Sequence, residues 1–244
     1  MILLLALAAA AAQPADFVRE EENALLHFRY SWPAAAAREP ALGALLRRRM
    51  EAAHRRAVAT AVTNRRDRRR MGFDYIAHDY EQAWEAAGST PLLLSLVSGS
   101  FELSTGPHGF VGEDAILWDR AARRAVEARA LLGAGLGAMR GRFCAELDRQ
   151  RAEKREGDAI ADPEDPFNRC PQLADHVLAP ADQDGNGRFD TLRVLIPPEA
   201  VGPYVESEYL IDIPFEPRDL AGLPGRYRLA FEVPGSRINP LPGE

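Results

Sequence analysis

The chain has 244 residues, of which 46% are hydrophobic and 27% are charged. A chain of this size and composition can bury a sizeable core, which excludes an intrinsically disordered protein. The 36 acidic and 30 basic residues leave a net charge of −6, so the overall charge does not indicate a nucleic-acid binder.

The N-terminal segment is wholly apolar from Met1 to Ala12, and the first charged residue is Asp16. It is similar to the hydrophobic core of a signal peptide, followed by small residues that suit cleavage. A membrane span needs about 20 apolar residues, so this segment is too short to cross a bilayer. We therefore expect residues 1–15 to be a signal peptide and the protein to be periplasmic or otherwise exported. A buried N-terminal helix is the alternative.

The first half of the chain combines predicted strands with one long helix. Apolar residues at every second position predict a strand over Leu26–Trp32, and an apolar spacing of three and four from Pro40 predicts a helix of about six turns. The remaining predicted segments are strands over 73–84, 91–103 and 115–118, with a turn at 106–109.

The second half starts with another helix. The apolar residues between Leu136 and Leu147 share one helical face, which predicts a helix that ends near Glu156. The remaining predicted segments are a loop rich in Asp and Pro over 157–171 and strands near 176–178, 189–196, 206–213 and 227–233.

Strands with scattered long helices, rather than a regular alternation of the two, predict an α+β fold. We expect a largely antiparallel sheet packed by two long helices, in two closely associated lobes. The N-terminal lobe is predicted over 16–112, the C-terminal lobe over 113–235 and a tail over 236–244.

The two cysteines, Cys144 and Cys170, lie 26 positions apart. One pair in an exported chain predicts one disulfide, which here would tie a helix to the loop after it. Two inert buried thiols or one reactive cysteine are the alternatives. Neither cysteine has a neighbouring His or a Cys-x-x-Cys spacing, either of which would lower its pKa.

A calcium-loop pattern begins at Asp182. Asp182, Asp184, Asn186 and Asp190 supply oxygen ligands at offsets one, three, five and nine, with a glycine at offset six. The twelfth position is Arg193 instead of the usual Glu. The alternative is a hairpin turn without metal, because Asp-Gly-Asn-Gly favours a turn with positive φ. Calcium is the one cofactor that the sequence indicates.

The predicted first helix is strongly basic. Ten arginines lie between Leu42 and Arg70, against only Glu51 and Asp67. Such a helix could be a solvated face, a contact for an anionic envelope polymer or protein, or a grip on phosphates. Export would separate the protein from nucleic acid, so no nucleic-acid partner is expected.

No catalytic template fits the sequence. The five histidines lie at least 24 residues apart, which excludes a local two-histidine zinc motif. A Gly-x-Ser-x-Gly elbow, a phosphate loop and a dinucleotide fingerprint are also absent from the sequence. Glu102 and Asp119 could form a glycosidase-like carboxylate pair. With 36 acidic residues in the chain, however, such a pair can be chosen in many ways and is weak evidence for catalysis. We expect no catalytic residues.

Four stretches in order along the chain resemble a known domain family. They read Phe28-Arg-Tyr-Ser-Trp-Pro, Pro91-Leu-Leu-Leu-Ser-Leu, Leu103-Ser-Thr-Gly-Pro-His-Gly-Phe with Leu117-Trp-Asp-Arg, and Ile196-Pro-Pro-Glu-Ala-Val-Gly-Pro-Tyr-Val-Glu. The chain resembles the RsiV-like C-terminal domain family of unknown function over about 17–233, including the predicted C-terminal lobe. Pro107 and Ser207 depart from the family pattern.

The resemblance implies a non-catalytic binding or sensing domain of the cell envelope. Such domains serve as an extracytoplasmic sensor that binds lysozyme, and also occur beside the PdaC peptidoglycan deacetylase domain. The matching segments make Gly106, His108, Tyr204 and Glu206 the candidate ligand-binding residues, although a histidine in a tight turn can simply bond a nearby carbonyl. Lysozyme or a peptidoglycan-related ligand is the expected partner, and the acidic balance suits a cationic one. The alternatives are an envelope hydrolase and a basic-helix nucleic-acid binder.

Overall fold

The computed structural model describes residues 16–104, 108–156 and 165–235. The predicted signal segment 1–15, the turn residue Gly106, the first part of the predicted loop 157–171 and the tail 236–244 lie outside the described residues. No helix within the described ranges is both long enough and apolar enough to cross a membrane.

The first half of the chain forms a sheet with the strand order β1-β2-β3-β4-β5-β6. Its strands are β1 (Phe17–Glu22), β2 (Leu26–Trp32), β3 (His78–Ser89), β4 (Leu93–Leu103), β5 (Phe110–Asp119) and β6 (Arg124–Val126). Neighbouring strands are antiparallel, except that β2 and β3 run parallel. A parallel pair needs a crossover, which here contains the short α1 (Ala34–Ala37) and the long α2 (Pro40–Arg70).

The second half adds a smaller antiparallel sheet with the order β7-β8-β9. Its elements are α3 (Ala128–Leu132), α4 (Gly135–Lys154), β7 (Val177–Ala181), β8 (Thr191–Ile196), β9 (Tyr209–Pro214) and α5 (Pro217–Leu220). Short 3-10 turns cover Pro166–Asn168, Leu173–Asp175, Tyr204–Glu206 and Gly225–Ala230.

The core of the first sheet lies under α2. Leu26, Phe28, Tyr30 and Trp32 alternate along β2 and are fully buried, because every second side chain of a strand points to the same face. The buried residues of α2 follow the spacing of a helix, and they are Leu42, Gly43, Leu46, Met50, Ala53, Ala57 and Ala61. The helix therefore covers one face of the sheet, and we call the opposite face the outer face.

A second core lies around α4 and the smaller sheet. Met139, Phe143 and Leu147 of α4 are completely buried in the same cluster as Val194 of β8 and Ile211 of β9. The two sheets meet where β7 packs on the outer face of the first sheet. The small and apolar residues of this contact are Ala87, Val97, Ala179, Ala181 and Leu195.

The α+β architecture agrees with the prediction, but individual elements differ. The strand predicted over 227–233 is wrong: Gly225–Ala230 is a 3-10 turn that follows Pro224, and Phe231 makes only an isolated bridge to Phe189. The chain turns here because the Tyr227 N–H bonds the Pro224 carbonyl and the buried Tyr227 hydroxyl donates to Asp119.

One strand and the full extent of the first sheet were not predicted from the sequence. No strand was predicted for the edge strand β1. Its residues are alternately exposed and partly buried, and three of them are glutamates, so the sequence lacks the apolar alternation of a half-buried strand. The predicted division between residues 112 and 113 falls inside β5, so the hydrogen bonding of the first sheet continues past it to Val126.

The predicted disulfide is confirmed: Cys144 and Cys170 are bonded, with their Cα atoms 5.5 Å apart. It joins α4 to the segment before β7. Arg151, which is also on α4 and completely buried, donates hydrogen bonds to the carbonyls of Val201 and Arg169. The helix thus holds two loops of the second half in place.

We expect the double variant Cys144→Ser/Cys170→Ser to lose about 3 to 4 kcal/mol of unfolding free energy, because the disulfide restricts the unfolded chain. Urea unfolding with and without reductant measures the loss. The double variant is its own control, since reductant cannot alter it. A wild-type protein whose unfolding does not change on reduction would contradict the expectation.

Candidate ligand-binding site

The structure brings together two of the sequence-predicted residues, His108 and Tyr204. Their rings lie 4.2 Å apart between centroids, although they are far apart in sequence. The Tyr204 hydroxyl donates to the Gly109 carbonyl at 3.1 Å, and His108 Nδ1 lies 3.1 Å from the same oxygen. These contacts fit the structural interpretation of a turn histidine: the two side chains fasten the start of β5 to the turn at Tyr204.

The exposed aromatic ring of Phe110 lies next to this pair, with its centroid 6.0 Å from that of His108. Phe110 is the first residue of β5 and is 64% exposed. His108 is half-buried behind it. The cluster therefore presents Phe110 to solvent, while His108 and Tyr204 mainly contact protein.

Glu206 faces inward and does not join the exposed cluster. Its Oε1 lies 2.6 Å from Arg155 Nε, and its Oε2 accepts a hydrogen bond from the buried Tyr209 hydroxyl. Burial acts to raise the pKa of Glu206, but the hydrogen bonds from Arg155 and Tyr209 outweigh it and hold the pKa below its usual value. A Cβ atom at Gly202 would meet Glu206 Oε2 at 2.0 Å, so a larger residue here would displace the Glu206 carboxylate. Glu206 stabilises the turn from beneath.

The predicted calcium loop is closed by its own backbone. Asp182 accepts hydrogen bonds from the amides of Asn186 and Gly187, and Asp184 accepts one from Asn186. Asp190 is buried and accepts a hydrogen bond from the Gln183 amide. These are the contacts of the hairpin-turn alternative, and a calcium ion would have to displace them.

Within the described ranges, no group of three or more His, Cys, Asp or Glu side chains is arranged to hold a metal ion. The carboxylate pair Glu102 and Asp119 is also not assembled. The two residues lie near opposite ends of the β4–β5 ladder, since Glu102 pairs with Phe110 and Asp119 pairs with Leu93.

A groove lies between the outer face of the first sheet and the edge of the second, and it encloses about 540 Å³. We call it the acidic groove. Its first wall comes from β3, β4 and β5 and its second wall from β8, β9 and the residue before β9. The charged lining residues are Glu81, Glu85, Glu113, Glu208 and Arg193, and the larger apolar ones are Val97, Phe101, Val111, Leu195 and Leu210.

The register of the strands explains why these residues share one face. Glu81 pairs with Phe101 and Glu85 pairs with Val97 across the β3–β4 ladder, so their side chains point to the same side. Glu113 of β5 lies opposite Gly99, which has no side chain and leaves open space in front of it. The apolar side chains of the groove, which we call its apolar floor, therefore lie next to the carboxylates.

The groove has an excess of negative charge. Among the described residues, Arg193 is the one arginine that lines the groove. Asp212 holds it through two bonds of 2.9 Å, from Nε to Oδ1 and from Nη2 to Oδ2. Such a bidentate arginine–carboxylate pair fixes the plane of the guanidinium, so the positive charge of Arg193 is already paired with Asp212. The four lining glutamates outnumber this arginine, although Glu81 also lies 3.4 Å from Arg29 Nε and Lys154 attracts Glu208.

Glu113 is the most perturbed acid of the groove. Burial, reinforced by the negative charge of Glu208, raises its pKa from 4.5 to about 7. Its Oε2 atom is buried and has no hydrogen-bond partner among the described residues. In contrast, the Ser207 hydroxyl bonds Glu208 and lowers its pKa. Near neutral pH, the groove therefore holds one charged carboxylate beside one that is partly protonated.

The sequence prediction missed these groove residues. Glu81, Ala83 and Glu85 alternate with Tyr80, Gln82 and Trp84 along β3, which is a usable signal for a strand with one polar face. Nothing local marks Glu113, because its burial depends on the second sheet, which is formed by residues more than 60 positions later in the chain.

Neither a protein-family model nor a curated protein matches the chain. Among solved structures, the chain is similar to the crystal structure of a DUF3298 family protein from Pseudomonas aeruginosa PAO1, with 18% identity and a TM-score of 0.51 over 86% of this chain and 90% of that chain. A DUF3298 family member from Bacteroides fragilis has 11% identity and a TM-score of 0.47 over 85% of this chain and 91% of that one. The likeness to the Pseudomonas protein shows the fold, and the α+β prediction is confirmed.

We expect Glu113→Gln to stabilise the protein more at neutral and alkaline pH than at acid pH. Because the pKa of Glu113 is higher in the folded state, the folded protein binds more protons than the unfolded chain between about pH 4.5 and 7, so wild-type stability falls as the pH rises through this interval. With an allowance for solvent screening, the gain of the variant at pH 8 should be about 1 kcal/mol.

Thermal unfolding across this pH range measures the difference. Glu51→Gln, which removes a carboxylate from the exposed side of α2, is the control for the loss of one charge. Equal destabilisation of the Glu113→Gln variant at every pH would show that burial does not raise the pKa of Glu113.

Proposed function

We propose that the chain is a non-catalytic binding domain of the bacterial cell envelope, and that the acidic groove receives a cationic protein surface. Lysozyme is the candidate partner, and a peptidoglycan-related ligand is the second one. The observation that carries the proposal is the groove itself, where four glutamates surround an apolar floor.

The chemistry of the groove suits a cationic partner for two reasons. Complementary charge raises the rate of encounter and fixes the orientation of the partner. Desolvated apolar contacts then supply affinity, and Phe101 and Leu210 are partly exposed in the floor. A basic side chain above the floor would also give the unpaired oxygen of Glu113 a hydrogen-bond donor.

Two features support export to the envelope. The disulfide between Cys144 and Cys170 is of the kind that persists in oxidising compartments. The apolar segment from Met1 to Ala12 is similar to a signal peptide. The resemblance of the sequence motifs to the RsiV-like family points to the same compartment and to the same kind of partner.

An envelope hydrolase is the second candidate, because the groove holds two carboxyl groups with opposite pKa shifts. Acid catalysis of glycoside cleavage uses such a pair, with one group protonated and the other charged. Here Glu113 would be the proton donor and Glu208 the charged partner. Glu113 would then be essential for turnover.

We expect the protein to bind lysozyme in calorimetry at low ionic strength, and Glu85→Gln/Glu208→Gln to weaken binding at least about tenfold, because each lost charge pair at a surface is worth about 1 kcal/mol. The matched control is Glu51→Gln/Glu127→Gln, which removes two exposed carboxylates outside the groove.

The same preparations are assayed against purified peptidoglycan. Equal affinity of the groove variant and the control variant, or no lysozyme binding at all, contradicts the groove proposal. Release of soluble muropeptides that is lost in Glu113→Gln would favour the hydrolase instead.

A further inference from the structure

The C-terminal end of α2 projects beyond the core of the first sheet. The last buried residue of the helix is Ala61, and the helix continues to Arg70 before the chain returns toward β3. We call residues 62–76 the arginine tip. It lies at the connection between β2 and β3 and is separate from the acidic groove.

The arginine tip exposes large apolar side chains close together in the sequence. Met71, Phe73 and Ile76 are 62%, 60% and 60% exposed, and Val62 on the preceding turns is 52% exposed. Single exposed apolar residues are common on protein surfaces, but four within 15 positions are a concentration that needs an explanation.

The same segment is basic. It contains five arginines, at positions 65, 66, 68, 69 and 70, against Asp67 and Asp74. Asp67 lies 3.6 Å from Arg66 and 3.8 Å from Arg70, which is too long for a strong pair. Both arginines remain largely exposed, so the tip keeps a positive surface.

The backbone of the tip is well defined. The helix ends at Arg70 with Met71 as its C-cap, and the amides of Gly72 and Phe73 bond the carbonyls of Arg69 and Arg68 at 3.2 and 3.0 Å. This is the Schellman pattern, which needs the positive φ of +76° at Gly72. The Tyr75 hydroxyl then donates to the Leu25 carbonyl at 2.6 Å and anchors the loop to β2.

The cap places an exposed aromatic ring beside an arginine of the last helical turn. In a Schellman cap, the residue after the glycine normally packs on a residue of the last helical turn. Here the guanidinium of Arg68 lies 5.7 Å from the centre of the Phe73 ring, and Phe73 remains 60% exposed. The ring is thus held outward by a fixed backbone.

Helix electrostatics explain part of this arrangement. Basic residues stabilise the last turn of a helix, because its carbonyls carry partial negative charge. That effect accounts for Arg68, Arg69 and Arg70, but not for the exposed Met71, Phe73 and Ile76. A helix end whose only role is to expose arginines to solvent would not require these three apolar side chains.

We propose that the arginine tip binds the surface of an anionic lipid bilayer, with its arginines at the headgroups and Phe73, Ile76 and Met71 inserted at the interface. A nucleic acid or a polyanionic polymer would engage the arginines but would gain little from the apolar side chains. The combination of the two therefore selects a lipid surface.

The test is co-sedimentation of the full chain with vesicles made of equal parts phosphatidylglycerol and phosphatidylcholine, compared with vesicles of phosphatidylcholine alone. We expect the anionic vesicles to bind the wild type more strongly. Arg69→Gln/Arg70→Gln should lower partitioning onto them about 25-fold, since one arginine near an anionic surface contributes about fivefold. Phe73→Ser/Ile76→Ser should lower it at least about tenfold.

Matched controls are available elsewhere in the chain. Arg124→Gln/Arg129→Gln removes the same charge at the opposite edge of the first sheet and in α3, and Leu229→Ser removes an exposed apolar residue of the second half. Neither should alter partitioning. Thermal unfolding verifies each variant, and Met71→Ser repeats the apolar test at a 62% exposed position if the variant at Phe73 is unfolded.

Equal partitioning of the wild type and both tip variants would overturn the proposal. So would a loss in the arginine variant alone, particularly if heparin competes equally well with all variants that keep the arginines. The first result would assign vesicle binding to another segment, and the second would identify the tip as a polyanion-binding face.

Discussion

The packing of β7 against the outer face of the first sheet is the contact on which the rest of the structure depends. The contact is close because its residues are small: Ala87 on β3 faces Ala179 and Ala181 on β7 within one buried cluster. Just beyond it, the Asp182 amide bonds the Ala87 carbonyl at 2.9 Å, and a Cβ atom at Gly88 would meet Asp182 at the same distance. Replacing these residues with larger ones would force the sheets apart.

This contact covers only part of the outer face, and the acidic groove is the remainder. Beside this contact, the space between the first sheet and strands β8 and β9 is lined by four glutamates together with apolar residues. Glu113 lies deep enough to be desolvated, but one of its oxygens has no hydrogen-bond partner in the part of the chain that the structure describes. Holding such a group costs folding free energy, and proteins concentrate costs of this kind at functional sites. We therefore base the proposed binding function on the groove, while the arginine tip presents the opposite charge from another element.

The predictions from sequence were accurate where the information is local. The alternation of Leu26, Phe28, Tyr30 and Trp32 identified β2, and the spacing of apolar residues identified α2 and α4, because burial of one face imposes these periods. The disulfide followed from a single pair of cysteines. The strand predicted at 227–233 was wrong because Pro224 begins a 3-10 turn and Tyr227 bonds Asp119 from a distant strand.

The candidate site was predictable only in part. His108 and Tyr204 were selected separately and do meet, whereas Glu206 is held inside by Arg155 and Tyr209, contacts that no spacing in the sequence reveals. The groove was missed because it is assembled from both sheets.

The proposed function depends on the second sheet burying Glu113 in a groove with an excess of negative charge that a cationic partner would neutralise. The most direct measurement is an NMR titration of the Glu113 side-chain carboxyl, first in the free protein and then in the presence of lysozyme. We expect a midpoint at about pH 7 in the free protein and a lower midpoint in the complex. A midpoint near 4.5 that lysozyme does not change would contradict it.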